Sequence, residues 1–383
     1  MKIDEGRKLG FGCMRMPFLG DDQTDIDYPK LETLFDEFLA EGFTYFDTAY
    51  TYHGYHAEEI VRKALVERHP RDSFQLATKM PLRDFQDTAD LRHIFDEQLK
   101  NCGVDHFDYY LLHNMGANVH DKCEKYGAFE FLDQVKASGE ATFAGMSFND
   151  MPELLEEILE AHADSLDFVQ LQVNYADWEQ PNGQSRRCLE VARKYGKPVV
   201  VMEPCKGGTL VNVPDEAREL MEAAEPDAST ASWALRFAAS QPGVIRVLSG
   251  MNEMEQVRDN CATFADFRPV TDEELDVIWK VRDIIDSQTA IPCTACEYCT
   301  HDCPQHIAIP KFFALYNNVK RTTGSFSSHH VYYNNTVLGG SGKASDCIRC
   351  GLCEKACPQH LPIRALLEDV AATFEKQSFP TRK

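Results

Sequence analysis

The 383-residue sequence predicts an α/β protein in two parts: a (β/α)8 TIM barrel over residues 1–285 and a small α-helical and loop domain over 286–383. Three observations predict it. Short apolar runs alternate with amphipathic stretches through the first part, as in parallel β/α units. No G-x-G-x-x-G follows an early strand, which speaks against a Rossmann site. Eight of the fourteen cysteines crowd into the last quarter.

The strands are expected at Phe43–Phe46, Phe74–Ala77, Tyr109–Leu112, Ala141–Gly145, Phe168–Val173, Val199–Met202 and Val244–Leu248. They are continuous apolar runs of the kind covered on both faces. Helices with apolar residues every three or four positions are expected at Leu31–Ala40, Glu58–Val66, Leu91–Asn101, Phe129–Lys136, Leu154–Ala161, Arg186–Lys194 and Thr230–Ala239. Seven repeats are placed and an eighth strand is not. A closed barrel is favoured over an open doubly wound sheet, because barrels of this kind take about 250 residues. Asp272–Ser287 reads as a helix leading out of the barrel.

The composition excludes several classes. There is no apolar run near the roughly 20 residues of a membrane span, and Met1–Gly6 lacks the apolar stretch of a signal peptide. The reading is a cytoplasmic protein that does not enter a membrane. A formal net charge of −22 repels nucleic acid and anionic lipid. A solvated acidic surface explains that charge, and steering toward a basic redox partner protein is the sharper alternative. Cys13, Cys102, Cys123, Cys188, Cys205 and Cys261 follow no pattern and read as ordinary thiols.

The remaining eight follow one. Cys293, Cys296, Cys299 and Cys303-Pro304 form a C-x2-C-x2-C-x3-C-P run, echoed by Cys347, Cys350, Cys353 and Cys357-Pro358. Each run is followed by a short helical segment, Lys311–Asn317 and Ile363–Asp369, and the link between them, with Gly324-Ser325 and Gly339–Gly342, reads as loop. Three thiolates spaced by two residues reach three irons of one cube, and the Cys before Pro turns to the other cube. The part is therefore ferredoxin-like, with two [4Fe–4S] clusters. One takes Cys293, Cys296, Cys299 and Cys357; the other takes Cys347, Cys350, Cys353 and Cys303. Two zinc sites are the rival, but zinc knuckles pair across a gap without a triple x2 run. His301, His306 and His360 lie beside filled ligand sets and read as surface residues.

Four passages end predicted strands of the barrel, where barrel enzymes keep their active sites: Phe46–Gly54, Ala77-Thr78-Lys79, Leu111-Leu112-His113 and Gly145-Met146-Ser147. On these residues the first part resembles the aldo/keto reductase family, whose Asp, Tyr, Lys and His are met by Asp47, Tyr52, Lys79 and His113. The resemblance implies a carbonyl/alcohol oxidoreductase using a nicotinamide, with Tyr52 as general acid and a small-molecule carbonyl or alcohol as substrate. Lys79 would lower the Tyr52 pKa, Asp47 would keep Lys79 charged, and His113 would orient the carbonyl. It further implies that Ser147 and Gln170 hold the carboxamide, although Phe148 replaces the family's Asn. The stacking position falls at Met202 or Glu203. Gly207, Gly250, Met251, Asp259 and Asn260 would border the rest of NAD(H) or NADP(H). Gly250 and Gln256 stand where NADPH-preferring members carry Lys and Arg, so NADH is favoured; if this loop is misplaced, Arg246 and Arg258 are the basic groups that would have to turn in. Loops such as Met115–Tyr126 would choose the substrate. Two other readings stay open: an electron-transfer adapter that uses the barrel as a docking scaffold, and a reductase fed by its clusters without nicotinamide.

Overall fold

The computed structural model describes residues 6–20, 22, 24–179, 184–287, 290–293, 296–301, 303–321 and 328–376. They form two compact units. The first holds the described residues up to Cys205 with Ala231–Glu274, and the second holds Lys206–Thr230 and the described residues from Leu275 onward.

The first unit contains eight parallel strands closed in chain order: β1 Leu9–Gly12, β2 Tyr45–Asp47, β3 Gln75–Pro81, β4 Phe107–Met115, β5 Ala141–Phe148, β6 Phe168–Gln172, β7 Val199–Met202 and β8 Val244–Ser249. Pairing of Leu9 with Val247 and Phe11 with Ser249 closes the ring. This is the (β/α)8 barrel, and β1 is the strand left unplaced. Its sequence, Leu-Gly-Phe-Gly, carries little strand propensity. Gly10 is there for space: a Cβ on it would meet Leu248 at 2.8 Å and Tyr45 at 2.9 Å.

Tyr45, Tyr109, Phe143, Phe168, Val200 and Ile245 belong to one buried cluster contributed by six strands. Tyr45 and Tyr109 meet edge to face at 4.9 Å, and the Arg246 guanidinium lies 5.9 Å from the Tyr45 ring. Outside, the helix Tyr28–Ala40 buries Leu31, Leu34, Phe35 and Phe38 on one stripe. Phe35 and Phe38 meet Phe46 edge to face. Burying each such ring contributes about 1.5–3 kcal/mol. Asp27 caps this helix by accepting from Lys30 N, with Pro29 in the first turn, where a missing N–H costs nothing. The helix expected over 58–66 divides into Ala57–Val61 and a wider π turn at Arg62–Val66. The segment Met115–Tyr126, expected as loop, holds the helix Ala117–Tyr126.

The second unit has its own core of Ile291, Phe312, Phe313, Tyr333, Ile363, Leu367, Val370 and Phe374. The helices Ile309–Arg321 and Ile363–Phe374 follow the two cysteine runs. The link between the runs is not all loop, because Ser328–Leu338 is helical. Its anchor is Tyr333, stacked on Phe374 at 4.8 Å and tilted on Phe312 at 4.4 Å. The Tyr333 hydroxyl donates to Glu375 and accepts from Ala344 N. Gly324-Ser325 lie outside the described residues, while Gly339 and Gly340 turn the chain after the helix. The sequence repeat extends to the backbone: His306 and His360 are both left-handed, at φ 50° and 53°. Among the described residues no helix is long and apolar enough to cross a membrane.

Candidate active site and cluster cavities

Asp47 closes β2, Lys79 lies in β3 and His113 in β4, and Tyr52 follows β2 by one turn. The barrel brings all four together. Lys79 is fully buried, and its Nζ donates to Asp47 Oδ1 at 2.5 Å and to Thr48 O at 2.7 Å. The same Nζ lies 5.1 Å from the Tyr52 ring centre. His113 meets that ring edge-on at 5.6 Å. From the far side of the barrel Gln170 Nε2 donates to Asp47 Oδ2 at 2.9 Å. Both carboxylate oxygens are thus occupied. After Tyr52 the chain passes through three left-handed residues, His53, Gly54 and Tyr55, at φ 48°, 62° and 73°. The two that are not glycine cost about 1–2 kcal/mol each.

Charge follows from this packing. Burial alone would discharge Lys79, but Asp47 and then Tyr52 outweigh it and hold its pKa above the ordinary lysine value. Burial raises the Tyr52 hydroxyl and Lys79 pulls it back only in part, so the tyrosine stays protonated. This differs from the expected net lowering, since desolvation of the phenolate is the larger effect. His113 is pushed down to about 3 by burial, then by Lys79 and Arg83, and is neutral.

Sequence reasoning missed two features here. Buried Glu58 accepts from Thr78 Oγ1 at 2.6 Å, Gln98 Nε2 at 2.8 Å and Asn101 Nδ2 at 3.2 Å. Gln98 Nε2 also donates to Lys79 O at 3.0 Å, tying the network to the strand that carries the lysine. A Glu and a Gln on the apolar stripes of their helices were the available signal. The second is Arg15, half-buried, whose stem lies against Gly250: a Cβ on that glycine would meet Arg15 Cδ at 3.2 Å.

The expected nucleotide residues are more dispersed in character. Ser147 Oγ accepts from Asn114 N at 2.7 Å. Met251 is fully buried in the core and Asn260 donates to Ser249 Oγ at 3.0 Å. Gly250 is exposed and Asp259 half-buried. Gly207, left-handed at φ 64°, belongs to the second unit. The Gln256 side chain accepts from Asn252 N and Glu253 N as the cap of the helix Met254–Ala265.

In the second unit two cavities divide the eight cysteines. One is lined by Cys303, Cys347, Cys350 and Cys353. The other is lined by Cys293, Cys296, Cys299 and Cys357. Each takes three thiols from one run and the Cys-Pro thiol from the other. The eight are free of disulfides.

Several known proteins are similar to this chain. An uncharacterized oxidoreductase, YqkF, of Bacillus subtilis is 24% identical over 302 residues, 71% of this chain and 91% of its own. The holo form of aldo-keto reductase AKR11C1 from Bacillus halodurans superposes with a TM-score of 0.57 at 25% identity, over 72% of this chain and 91% of that one. An aldo-keto reductase from Klebsiella pneumoniae in complex with NADPH gives 0.56 at 20% identity, over 72% and 90%, and shows the fold alone. A 4Fe-4S dicluster domain is matched by residues 292–361. The profile of the aldo/keto reductase family matches residues 8–283, more than half of the sequence, so the chain belongs to that family and is an oxidoreductase with a 4Fe-4S dicluster domain C-terminal to its barrel.

Proposed function

We propose that residues 1–285 interconvert a carbonyl and an alcohol with a nicotinamide, with Tyr52 as the general acid, while residues 286–383 hold two [4Fe–4S] clusters. The observation that carries the first half is the buried Asp47–Lys79 pair placed against Tyr52. A buried ion pair is expensive to keep unless it has work to do. When bound, the nicotinamide supplies a hydride to the carbonyl carbon. Neutral His113 donates an N–H to the carbonyl oxygen and fixes its direction. Tyr52 holds its proton at neutral pH and gives it to that oxygen, and Lys79 stabilises the phenolate left behind. Asp47 keeps Lys79 charged through the transfer. Ser147, whose oxygen already accepts from Asn114 N, turns its hydroxyl hydrogen to the carboxamide, and Gln170 offers the amide oxygen that Asp47 does not use.

For the nucleotide, NADH is favoured. Gln256 is spent on its cap, Arg258 is paired with Glu37, and Arg246 lies against the Tyr45 ring, so none of them serves a 2′-phosphate. Arg15 serves the pyrophosphate, which both nucleotides share.

The cluster reading is supported by four thiols around each cavity. A single zinc, with bonds of about 2.3 Å, would close such a set around one point. When bound, the clusters supply one-electron transfer to or from a redox partner protein. Hydride carries two electrons, so exchange with the nicotinamide calls for a mediator. Reduced thiols suit the cytoplasm.

Replacing Tyr52 by Phe in anaerobically purified protein tests the acid. Carbonyl reduction should fall about 100- to 10,000-fold with nucleotide binding intact. Unchanged turnover on a substrate of the wild type would remove Tyr52 from the mechanism.

A further inference from the structure

The two cysteine cavities arise from one repeated run, yet their walls carry opposite charge. Aligned cysteine to cysteine, Glu297 stands opposite Gly351, and Pro310 opposite Arg364. Glu297, Pro310 and Phe313 line the cavity of Cys293, Cys296, Cys299 and Cys357. Gly351 and Arg364 line the cavity of Cys303, Cys347, Cys350 and Cys353. The backbone is the same at the exchanged position, since Glu297 and Gly351 are both left-handed, at φ 64° and 78°. The cation lies beside that position: a Cβ on Gly351 would be 3.7 Å from Arg364 Nη1, an ordinary contact.

Other differences are small. Cys296 and Cys350 are both exposed, Cys299 and Cys353 both buried, and Cys293 and Cys347 both half-buried; among the thiols only the Cys-Pro pair differs, with Cys303 half-buried and Cys357 buried. Arg364 is held in place by Glu354, which accepts from its Nη2 at 2.6 Å and from its backbone N at 2.9 Å. Arg364 lines the cavity, whereas its carboxylate partner Glu354 does not. Glu297 is exposed and Arg364 half-buried, so solvent screens the carboxylate more than the cation.

We infer that Arg364 and Glu297 order the two clusters in potential, so that the first electron settles on the cluster held by Cys303, Cys347, Cys350 and Cys353. The inference rests on the iron–sulfur reading above. Each reduction transfers one electron from an external low-potential donor, which is oxidised by one, and no bond or proton moves. The reduced cluster carries one more negative charge. A cation on its wall stabilises that state and a carboxylate opposes it, and net charge is among the principal determinants of such potentials. Arg364 contributes more than Glu297 because it is less screened.

The test is a dithionite titration of the anaerobic full chain with mediator dyes, followed by electron paramagnetic resonance. Two one-electron steps should appear, at least about tenfold apart in electron partition, which is about 59 mV for a one-electron couple. Arg364→Gln should lower the upper step alone, and Arg364→Lys should restore it. Glu297→Gln should raise the lower step alone, by a smaller shift. Coincident steps in the wild type, or an Arg364→Gln variant in which the lower step moves, would overturn the ordering. Iron content is measured on the same samples. About eight irons per chain keep the foundation in place, whereas zinc with negligible iron overturns the cluster reading itself, whatever the titration shows.

Discussion

The barrel site and the cysteine cavities treat buried polar groups in opposite ways. In the barrel the ion pair is satisfied before anything binds: Lys79 has two oxygen acceptors and Asp47 a donor on each oxygen. In the second unit eight thiols line two cavities, four to each, and none is joined to another by a disulfide. The cores differ in the same sense. The barrel buries a large continuous cluster from Leu9 to Phe264, whereas the second unit relies on a short set around Phe312, Tyr333 and Phe374. A small core usually needs a staple such as a metal centre. One region is built to be rigid in advance, and the other is built around its cargo.

The largest expected effect separates the two directly. Removing iron anaerobically with a chelator should abolish amide-exchange protection in the helices Ile309–Arg321 and Ile363–Phe374. Protection in β3, β4 and β5 should remain. Equal protection in both regions after chelation would show that the second unit does not depend on its metal.

Next in size is the barrel's ion pair. Lys79→Met leaves Asp47 buried with only Gln170, and breaking a buried pair costs about 3–5 kcal/mol. The urea midpoint should fall with an unchanged slope, and Asp47→Asn added to Lys79→Met should recover part of the loss. A single variant within about 0.5 kcal/mol of wild type would mean that the site is not pre-paired.

These contrasts also explain what the sequence revealed. The cysteine runs were legible because ligand spacing is local, and the tetrad because Asp47, Lys79 and His113 lie at or near the C-terminal ends of successive strands, with Tyr52 five residues after Asp47. Strand β1 was not legible, since Gly10 serves a close approach to Tyr45 and Leu248 that only closure of the ring creates. Nor was the helix Ser328–Leu338, whose order depends on Tyr333 reaching Phe374 far along the chain. Arg15 escaped because it pairs with nothing nearby in sequence. It becomes meaningful only when β1 and β8 are neighbours.

Glu58 offers a finer test of the pre-paired barrel. Burial lifts it to about 7, against the pull of Thr78, Gln98 and Asn101. Between the ordinary carboxylate value and 7 the folded chain therefore binds more protons than the unfolded one. Stability from this group is greatest at acid pH and is lost as pH rises through that window. His113 acts oppositely: pushed down to about 3, it adds stability that appears as pH rises toward the ordinary histidine value. Comparing Glu58→Gln with wild type isolates the carboxyl. From about pH 5 to about pH 8 the variant should lose less stability than wild type, by up to about 3 kcal/mol at 1.36 kcal/mol per pKa unit. Parallel stability curves would show that Glu58 is ionised throughout.

The smallest expected effect lies where the barrel departs from its own rule. Among the described residues Arg15 has no hydrogen-bond or ion-pair partner, though it is half-buried over Gly250. A phosphate group would complete it, and a charge-assisted contact of this kind contributes about 1.5–3 kcal/mol, with the lower end fitting a partly exposed side chain. Arg15→Ala should therefore weaken NADH and NADPH alike by roughly tenfold, because the pyrophosphate is common to both. The wild type should bind NADH at least as tightly as NADPH, since Gln256 is fixed in its cap and Arg258 is drawn off by Glu37. Titrating both nucleotides against both proteins at two salt concentrations separates the cases. If Arg15→Ala weakens NADPH alone, the guanidinium reads the 2′-phosphate, and the NADH preference argued from Gly250 and Gln256 is lost with it. If neither nucleotide is affected, Arg15 is a surface cation and the barrel is pre-paired throughout.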